Sequence, residues 1–278
     1  MLSYRHSYHA GNFADVLKHL VLVEILQYLK RKNGAFDYID THAGAGLYSL
    51  QSIHASKLAE YRDGIARLNV ADWPELAGYL GLIESFNPGG ELLIYPGSPA
   101  IAHRLLRPQD RASLFELHPA DFAELQQLFH RDRRVRTFHE DGHKGLLRLL
   151  PPKSRRAVVL VDPSYEVKTE YAQLVQTLAQ AWRRFPAGVY ALWYPVIDRQ
   201  RSEEMIAAIA QSGIRDIQRY ELGVAADSAE RGMTACGMLV INPPWTLQAE
   251  LAALLPRLAQ QLRQGEGAYS RVEVVAGE

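Results

Sequence analysis

The first long hydrophobic pattern in the chain is that of a helix. Apolar side chains recur every three or four positions from Phe13 to Leu29, which is the spacing of one helical face. Asn12 stands immediately before this pattern and is a residue type that caps helix N-termini. Asn33 and Gly34 follow a run of basic residues, as is typical of a helix end. We therefore expect a helix that begins after Asn12 and ends before Asn33.

Beyond this helix, short hydrophobic runs alternate with helical patterns along most of the chain. The runs are rich in β-branched and aromatic residues, as strands are. We expect strands at residues 36–39, 112–117, 135–139, 157–161, 189–193, 217–222 and 238–241. Helices are expected between most of them, for example at residues 119–130, 171–185 and 202–212. This alternation predicts a doubly wound, Rossmann-like α/β fold with a mostly parallel, seven-stranded sheet.

One region departs from the alternation. Between residues 50 and 95 the sequence shows several helical patterns and no good strand. This length exceeds what one crossover between strands needs, so we expect a helical insertion packed beside the sheet. The chain, residues 1–278, is then a single domain with residues 50–95 as a small subdomain within it.

The composition is that of an ordinary globular protein. Hydrophobic residues make up 47% of the 278 residues and charged residues 22%, which argues against disorder. Basic and acidic side chains number 31 each, so nucleic acid must be bound by local patches rather than by a global positive field. The single cysteine, the lack of an apolar leader and the lack of a membrane-length window lead us to expect a cytoplasmic protein that binds no membrane. No coiled-coil pattern calls for a partner, and we expect a monomer.

The candidate chemistry lies at the end of the strand expected at residues 157–161. This run is wholly apolar, as in a strand buried on both faces, and Asp162 follows it at the edge of the sheet where ligands of open α/β sheets bind. The sequence there suits a flat base with an exocyclic amine, because the Asp162 carboxylate and the Pro163 carbonyl can each accept one N–H. The ring of Tyr165 can stack on the base. An amine held in this way has its lone pair free to attack an electrophilic methyl group.

Two further acids and a glycine-rich turn are expected at the same edge. The sequence Asp-Thr-His-Ala-Gly-Ala-Gly follows the first strand, and its Gly44 and Gly46 let the backbone approach a ligand closely. Glu116 ends the second strand, where it can accept hydrogen bonds from both hydroxyls of a ribose. Asp141, followed by Gly142, ends the third strand and is placed to meet an adenine amine. Three successive strands that end in an acid indicate a binding site rather than surface acids.

The order of these motifs resembles that of the class I S-adenosylmethionine-dependent methyltransferases. An Asp-Pro-x-aromatic motif in this place resembles the enzymes that methylate exocyclic amines of adenine or cytosine. Longer segments are similar to the RlmJ family, the bacterial 23S ribosomal RNA adenine-N6 methyltransferases. They lie along essentially the whole chain, at residues 1–12, 14–19, 40–46, 95–99, 116–119, 190–195 and 231–235. The first of these segments is highly specific.

The resemblance implies a cofactor, a substrate and roles for individual residues. The implied cofactor is S-adenosyl-L-methionine, and the implied substrate is an unpaired or flipped adenine of 23S ribosomal RNA. Beside the glycine turn, the implied cofactor contacts are His19, His42, Ser98, Glu116, Asp141, Gly142 and Asp162. The residues implied to contact the RNA, or to close over the site, are Tyr4, His6 and Lys18. The family's helical insertion falls at the same place in the chain, between residues 50 and 95.

The motif departs from the family at one position. The family has Asp-Pro-Pro-Tyr, whereas Ser164 replaces the second proline here. The carboxylate, the first carbonyl and the ring are retained, so we expect a looser but usable motif. Residues 242–245, Asn-Pro-Pro-Trp, match the pattern of the amine methylases more literally, but they follow the last expected strand, and we interpret them as a structural strand exit.

Three alternatives remain at this point. A DNA adenine-N6 or cytosine-N4 methyltransferase would share the motif, although the insertion is short and not notably basic for a target-recognition domain. A non-catalytic module that binds the cofactor or RNA is suggested by Ser164 and by the neutral charge. A metal site is suggested by the cluster of His6, His9, Asp15 and His19. The sequence lacks His-Glu-x-x-His and cysteine pairs, however, so we expect no metal.

Overall fold

The helix expected near the start of the chain is present, and it carries three of the polar side chains discussed below. The computed structural model describes residues 5–166, 169–228 and 232–277. Helix α1 (Phe13–Lys30) begins where the Asn12 side chain accepts a hydrogen bond from the backbone N–H of Asp15, 3.0 Å away. Almost every side chain of α1 is buried, and these include the polar side chains of Asp15, Lys18 and His19.

The remaining helices and strands follow along the chain. They are β1 (Asp37–Asp40), β2 (Leu47–Ser49), α2 (Ile53–Leu58), α3 (Ala77–Ser85), β3 (Ile94–Pro96), α4 (Ser98–Leu105), β4 (Arg111–Phe115), α5 (Pro119–Phe129), β5 (Val135–Phe138), α6 (Gly142–Leu149), β6 (Ala157–Val161), α7 (Thr169–Arg184), β7 (Val189–Val196), α8 (Arg199–Gln211), β8 (Ile217–Gly223), β9 (Ala235–Ile241), α9 (Leu247–Gln261) and β10 (Tyr269–Ala276). Short 3-10 helices lie at residues 6–8, 60–63, 65–67 and 74–76.

The main sheet confirms the doubly wound, mostly parallel α/β fold. In the part of the chain that the structure describes, it has eight strands in the order β10-β8-β9-β7-β6-β1-β4-β5. The strands from β7 to β5 in this order are parallel, whereas β9 is antiparallel to β7 and β8. The eighth strand, β10, is antiparallel to β8 at the edge of the sheet and was not expected. It is only half-buried, so its sequence lacks the continuous apolar run that marks a central strand.

The centre of the sheet positions the candidate chemistry. All five residues of β6 are buried, and β6 lies between β1 and β7. Asp40 is the last residue of β1 and is in register with Leu160 of β6 and Leu114 of β4. Because these strands are parallel, the residues that follow β1, β4, β5 and β6 meet at one edge of the sheet.

Residues 50–95 hold α2, α3 and 3-10 helices. The short strands β2 and β3 flank this segment and pair antiparallel in a separate two-stranded sheet. Helix α3 packs against α1, and its Tyr79, Leu80 and Ile83 are buried in the core around α1. That the segment is an insertion within one domain stays a prediction.

Candidate active site

A cavity of about 260 Å³ opens at the edge where β1, β4, β5 and β6 end. Most of the residues expected from the sequence to form the site line it. These are His6, Lys18, His19, His42, Gly44, Ser98, Glu116, Asp141, Gly142, Asp162 and Pro163. Of the other expected residues, Gly46 and Tyr165 lie outside this lining, and Tyr4 lies outside the described residues.

The glycine-rich turn and Glu116 are joined by hydrogen bonds. The backbone N–H of Gly44, whose φ of 61° favours glycine, donates to Oε2 of Glu116 at 2.8 Å. The N–H of His118 donates to Oε1 at 2.6 Å. Burial raises the pKa of the Glu116 carboxyl. Gly46 (φ 86°) lies behind the turn, where its carbonyl accepts a hydrogen bond from Gly97 at the start of α4. Each oxygen of Glu116 keeps a second lone pair for a ligand hydroxyl.

Asp141 and Gly142 bring the start of α6 against the turn after β1. Asp141 caps α6, and its Oδ1 accepts a hydrogen bond from the backbone N–H of His143 at 2.8 Å. A Cβ added to Gly142 would lie 2.0 Å from the carbonyl oxygen of Thr41. Only glycine allows this approach, which narrows the cavity beside Asp141.

Two histidines in the cavity are held in the neutral form. Burial lowers the pKa of His19 to about 3 and that of His42 to about 3. Nδ1 of His19 lies 2.7 Å from the hydroxyl of Tyr95. The imidazoles of His19 and His42 therefore add no positive charge near neutral pH, and the cavity can accept a cationic ligand.

Asp40 is a buried acid behind this cavity that the sequence did not single out. Its Oδ2 accepts hydrogen bonds from the hydroxyl of Ser98 at 2.7 Å and from that of Tyr38 at 2.5 Å. Burial raises the pKa of Asp40 to about 6. Its position at the start of the glycine motif is the signal that could have identified it. Asp40 ties the first turn of α4, which carries Ser98, to the end of β1.

A second cavity of about 250 Å³ lies on the other side of Lys18 and Asp162. Its lining residues are His6, His9, Asn12, Ala14, Asp15, Lys18, Asp162, Ser164, Trp193, Pro195, Ile197 and Met233. Five of them, namely His6, Lys18, Asp162, Ser164 and Trp193, also line the first cavity. These five residues border both cavities and are here called the wall.

A buried ion pair stands in this wall. Nζ of Lys18 lies 2.6 Å from Oδ2 of Asp162 and 2.9 Å from Oδ1 of Asp15. The other oxygen of Asp15 accepts from the N–H of Gly11 at 2.8 Å and lies 2.9 Å from Nε2 of His6. Burial acts to raise the pKa of Asp15, but the charges of His6 and Lys18 outweigh it and hold this pKa well below its usual range.

Lys18 thus does not present its charge to solvent, since only 5% of it is exposed. The family resemblance implies that Lys18 contacts the RNA or closes over the site, and the structure places this cation between two carboxylates. From the sequence, Asp15 was considered only as a possible metal ligand. The spacing of Asp15 and Lys18, three residues apart on one helix, is the signal that could have identified the pair.

The aromatic side chains are arranged differently from the expectation. Tyr165 has a positive φ of 56°, and its hydroxyl donates to the carbonyl oxygen of Trp193 at 2.6 Å. Its ring packs on that of Tyr171, with a centroid distance of 4.8 Å. Trp193, by contrast, lines both cavities, and Nζ of Lys18 lies 5.9 Å from the centre of its ring. Trp193, and not Tyr165, is therefore the aromatic residue that lines both cavities together with Asp162.

The second Asn-Pro-Pro-aromatic sequence lies elsewhere in the fold. Asn242 follows β9, and its side-chain amide donates to the carbonyl oxygens of Pro186 and Gly188, each at 2.6 Å. Neither Asn242 nor Trp245 lines the two cavities. These hydrogen bonds of Asn242 stabilise the chain where it leaves β9.

Within the described ranges, 5–166, 169–228 and 232–277, no group of three or more His, Cys, Asp or Glu side chains is arranged to hold a metal ion. Among the same residues, no helix has the length and apolar character needed to cross a membrane.

A doubly wound sheet with a glycine turn after β1, and with acids at the ends of β4, β5 and β6, defines a class I methyltransferase fold. A family model described as "Ribosomal RNA large subunit methyltransferase D, RlmJ" matches residues 33–275. The chain therefore belongs to the RlmJ family.

Individual relatives agree with this assignment. The chain is 49% identical over 280 residues to ribosomal RNA large subunit methyltransferase J of Escherichia coli (strain K12), with all of both chains covered. It is 48% identical over 274 residues to the protein of the same name from Haemophilus influenzae, with 97% of this chain and 98% of the other covered. Among solved structures, protein LPL1258 from Legionella pneumophila is 36% identical, with 96% of this chain and 98% of the other covered and a TM-score of 0.88.

Proposed function

We propose that this protein transfers a methyl group from S-adenosyl-L-methionine to N6 of an adenine in 23S ribosomal RNA. The observation that carries the proposal is the position of Asp162 in the wall between two cavities. A group that must meet both a methyl donor and an acceptor base belongs in such a wall. Membership of the RlmJ family supports ribosomal RNA as the substrate.

The first cavity fits the cofactor by the chemistry of its side chains. Glu116 would accept hydrogen bonds from the ribose hydroxyls, and Asp141 would accept one from the adenine amine. The neutral imidazoles of His19 and His42 place no cation against a positively charged ligand. When bound, the cofactor supplies a methyl group on a sulfonium, which is a good leaving centre. The protein then has mainly to position and orient the acceptor amine.

The second cavity fits the acceptor base. The Asp162 carboxylate, which lines both cavities, would accept one N–H of the adenine amine, and the Pro163 carbonyl, which lines the first cavity, would accept the other. Trp193 offers an aromatic surface in the same wall, whereas stacking by Tyr165 requires its hydroxyl to leave the Trp193 carbonyl. As a new N–C bond formed and the methyl–sulfur bond broke, positive charge would develop on the amine nitrogen, and Asp162 would accept its proton. Lys18 keeps the carboxylate in place.

The burial of the Asp162 side chain determines whether the target adenine can be paired when it is methylated. The side chain of Asp162 is only 16% exposed, so a base inside a stacked helix cannot reach it. The target adenine must therefore be unpaired or flipped out of its stack. We expect the protein to act as a monomer in the cytoplasm.

Transfer of a labelled methyl group tests the proposal. Purified protein is given labelled cofactor with either transcribed 23S RNA or duplex DNA, and the product is digested to nucleosides. We expect N6-methyladenosine from the RNA and no labelled product from the DNA. Label in the DNA alone would support the DNA methyltransferase instead. Tight binding of the cofactor with no transfer to any RNA would support a non-catalytic module.

A further inference from the structure

The chain segment at residues 7–12, here called the entry segment, lies on part of the helical region at residues 52–65, here called the support. The hydroxyl of Ser7 lies 2.9 Å from Nδ1 of His54. The ring of Tyr8 stacks on the ring of His54 with a centroid distance of 4.4 Å. The backbone N–H of Ile65 donates to the carbonyl of Gly11 at 2.9 Å. Side-chain and backbone contacts thus join the two segments along their length.

Glu60 of the support makes the central contacts. Its Oε1 lies 3.0 Å from Nδ1 of His9, and its Oε2 accepts a hydrogen bond from the side-chain amide of Asn12 at 3.0 Å. The hydrogen bond with Glu60 raises the pKa of His9, and the same contact helps to lower the pKa of Glu60 despite its burial. The interaction is therefore charge-assisted, which makes it stronger than a neutral hydrogen bond.

Both partners of Glu60 belong to the second cavity. His9 and Asn12 line it, whereas Glu60 lies outside its lining. Asn12 also caps α1, the helix that carries Lys18 into the wall. Glu60 can therefore affect the second cavity only through the residues that it holds.

Gly64 brings the two backbones together. A Cβ on Gly64 would lie 2.1 Å from the carbonyl oxygen of Gly11 and 2.7 Å from the carbonyl carbon of Asn12. These neighbours are backbone atoms of the entry segment, so a side chain could be accommodated only if that segment moved. The two segments can therefore approach this closely only because residue 64 is glycine.

We propose that Glu60 and Gly64 are positioning residues for the RNA substrate. They hold the entry segment as a fixed wall of the cavity that receives the target base. This inference rests on the proposed function and assigns a task to the helical region, which touches the site through the entry segment. It follows that loss of Glu60 weakens productive binding of RNA more than it weakens cofactor binding, because its partners His9 and Asn12 line the second cavity and not the first.

Four variants test this assignment, namely Glu60→Ala, Glu60→Gln, Gly64→Ala and the control Glu75→Ala. Glu60→Ala removes both contacts, whereas Glu60→Gln keeps an oxygen that can accept from Asn12 and loses the charge beside His9. Glu75→Ala is the matched control, because Glu75 lies in the same helical region and pairs with Arg257 of α9 rather than with the entry segment. The measurements are kcat and KM for transcribed 23S RNA, with the Kd of S-adenosylhomocysteine determined by calorimetry.

We expect Glu60→Ala to raise KM for RNA by about tenfold, because part of the free energy of the two lost hydrogen bonds to a charged group is expressed as weaker RNA binding. For Glu60→Gln we expect a smaller rise in KM, because this variant keeps one of the two contacts. It tests the proposal even if Glu60→Ala folds poorly. The Kd of S-adenosylhomocysteine should change less than about twofold, and Glu75→Ala should match the wild type. Gly64→Ala should repeat the effect of Glu60→Ala.

Other outcomes overturn the inference. An unchanged KM in both Glu60 variants would show that the entry segment needs no support. An equal rise in KM in Glu75→Ala would show a general effect of the helical region. If the wild-type protein methylated no RNA, the proposed function would fail as well, whereas an active wild type with unaltered variants would remove this inference alone.

Discussion

Nζ of Lys18 lies 2.6 Å from Oδ2 of Asp162, a residue 144 positions further along the chain. The same ammonium is 2.9 Å from Asp15, so one buried cation faces two carboxylates. This pairing fixes Asp162 between the two cavities, where a base amine and a methyl donor would meet. The predictions below test the parts of this arrangement separately.

Asp162 should be needed for transfer more than for cofactor binding. Asp162→Asn keeps the shape of the side chain but removes the charge that accepts the amine proton. We expect kcat to fall roughly 10²- to 10⁴-fold, the usual contribution of a positioned acid or base. The Kd of S-adenosylhomocysteine should change far less. Asp198→Asn is the control, since Asp198 caps α8 and asparagine caps helices equally well. Full activity in Asp162→Asn would refute the role of Asp162.

The buried contacts of Lys18 with Asp15 and Asp162 predict that a double variant can regain stability without regaining activity. Lys18→Met leaves Asp15 and Asp162 without their common cation, and breaking a buried pair costs about 3–5 kcal/mol. Lys18→Met with Asp15→Asn should recover part of the free energy of unfolding, measured in urea, but not the methyl transfer. Lys144→Met is the control, since the side chain of Lys144 is 84% exposed. Recovery of both properties in the double variant would mean that Lys18 serves stability alone.

The aromatic residue that stacks on the base can be identified by two leucine variants. Trp193 lines both cavities and Tyr165 lines neither, so Trp193→Leu should raise KM for RNA more than Tyr165→Leu does. Base–aromatic stacking is worth about 1–3 kcal/mol, which corresponds to roughly a 5- to 150-fold change in KM. Thermal unfolding checks that each variant is folded. A larger effect in Tyr165→Leu would return the stacking role to Tyr165.

The close approach at Gly142 predicts loss of the cofactor site. A Cβ in Gly142→Ala would lie 2.0 Å from the Thr41 carbonyl, so α6 or the turn must move. We expect a loss of about 1–3 kcal/mol of stability and weaker binding of S-adenosylhomocysteine. Gly81→Ala is the control, because Gly81 lies in α3 with no atom within 4 Å of the added Cβ. Alanine there should stabilise the helix by roughly 0.5–1 kcal/mol. Calorimetry and urea unfolding measure both effects, and unchanged cofactor binding in Gly142→Ala would contradict the prediction.

The raised pKa of Asp40 predicts how the stability of the protein changes with pH. Burial raises its pKa from the ordinary 3.8 to about 6, so the folded protein holds this proton more tightly than the unfolded chain. The contribution is complete below about pH 4 and is lost as the pH rises through 6. The unfolding free energy of Asp40→Asn relative to wild type should therefore rise by about 2 kcal/mol between pH 4 and pH 7. Urea unfolding at several pH values measures this, with Asp37→Asn at the other end of β1 as the control. Parallel curves for Asp40→Asn and wild type would refute it.

Much of the fold could be predicted because its causes are local. The cap at Asn12 and the helical spacing after it predicted the start of α1, and the apolar run at residues 157–161 predicted β6. The alternation of strands and helices predicted the doubly wound sheet. The strand β10 was missed because an edge strand needs no continuous apolar pattern.

The sequence alone predicted which acids would lie at one edge of the sheet, and these acids line one cavity. Glu116, Asp141 and Asp162 each follow a parallel strand, and the carboxyl ends of parallel strands meet at one edge whatever the loops between them do. The pairing of Lys18 with Asp162, the anchoring of Tyr165 on Trp193 and the contact of Glu60 with His9 could not be foreseen in this way. Each joins side chains that are distant in sequence, and its geometry depends on how α1, β7 and the helical region pack together in three dimensions.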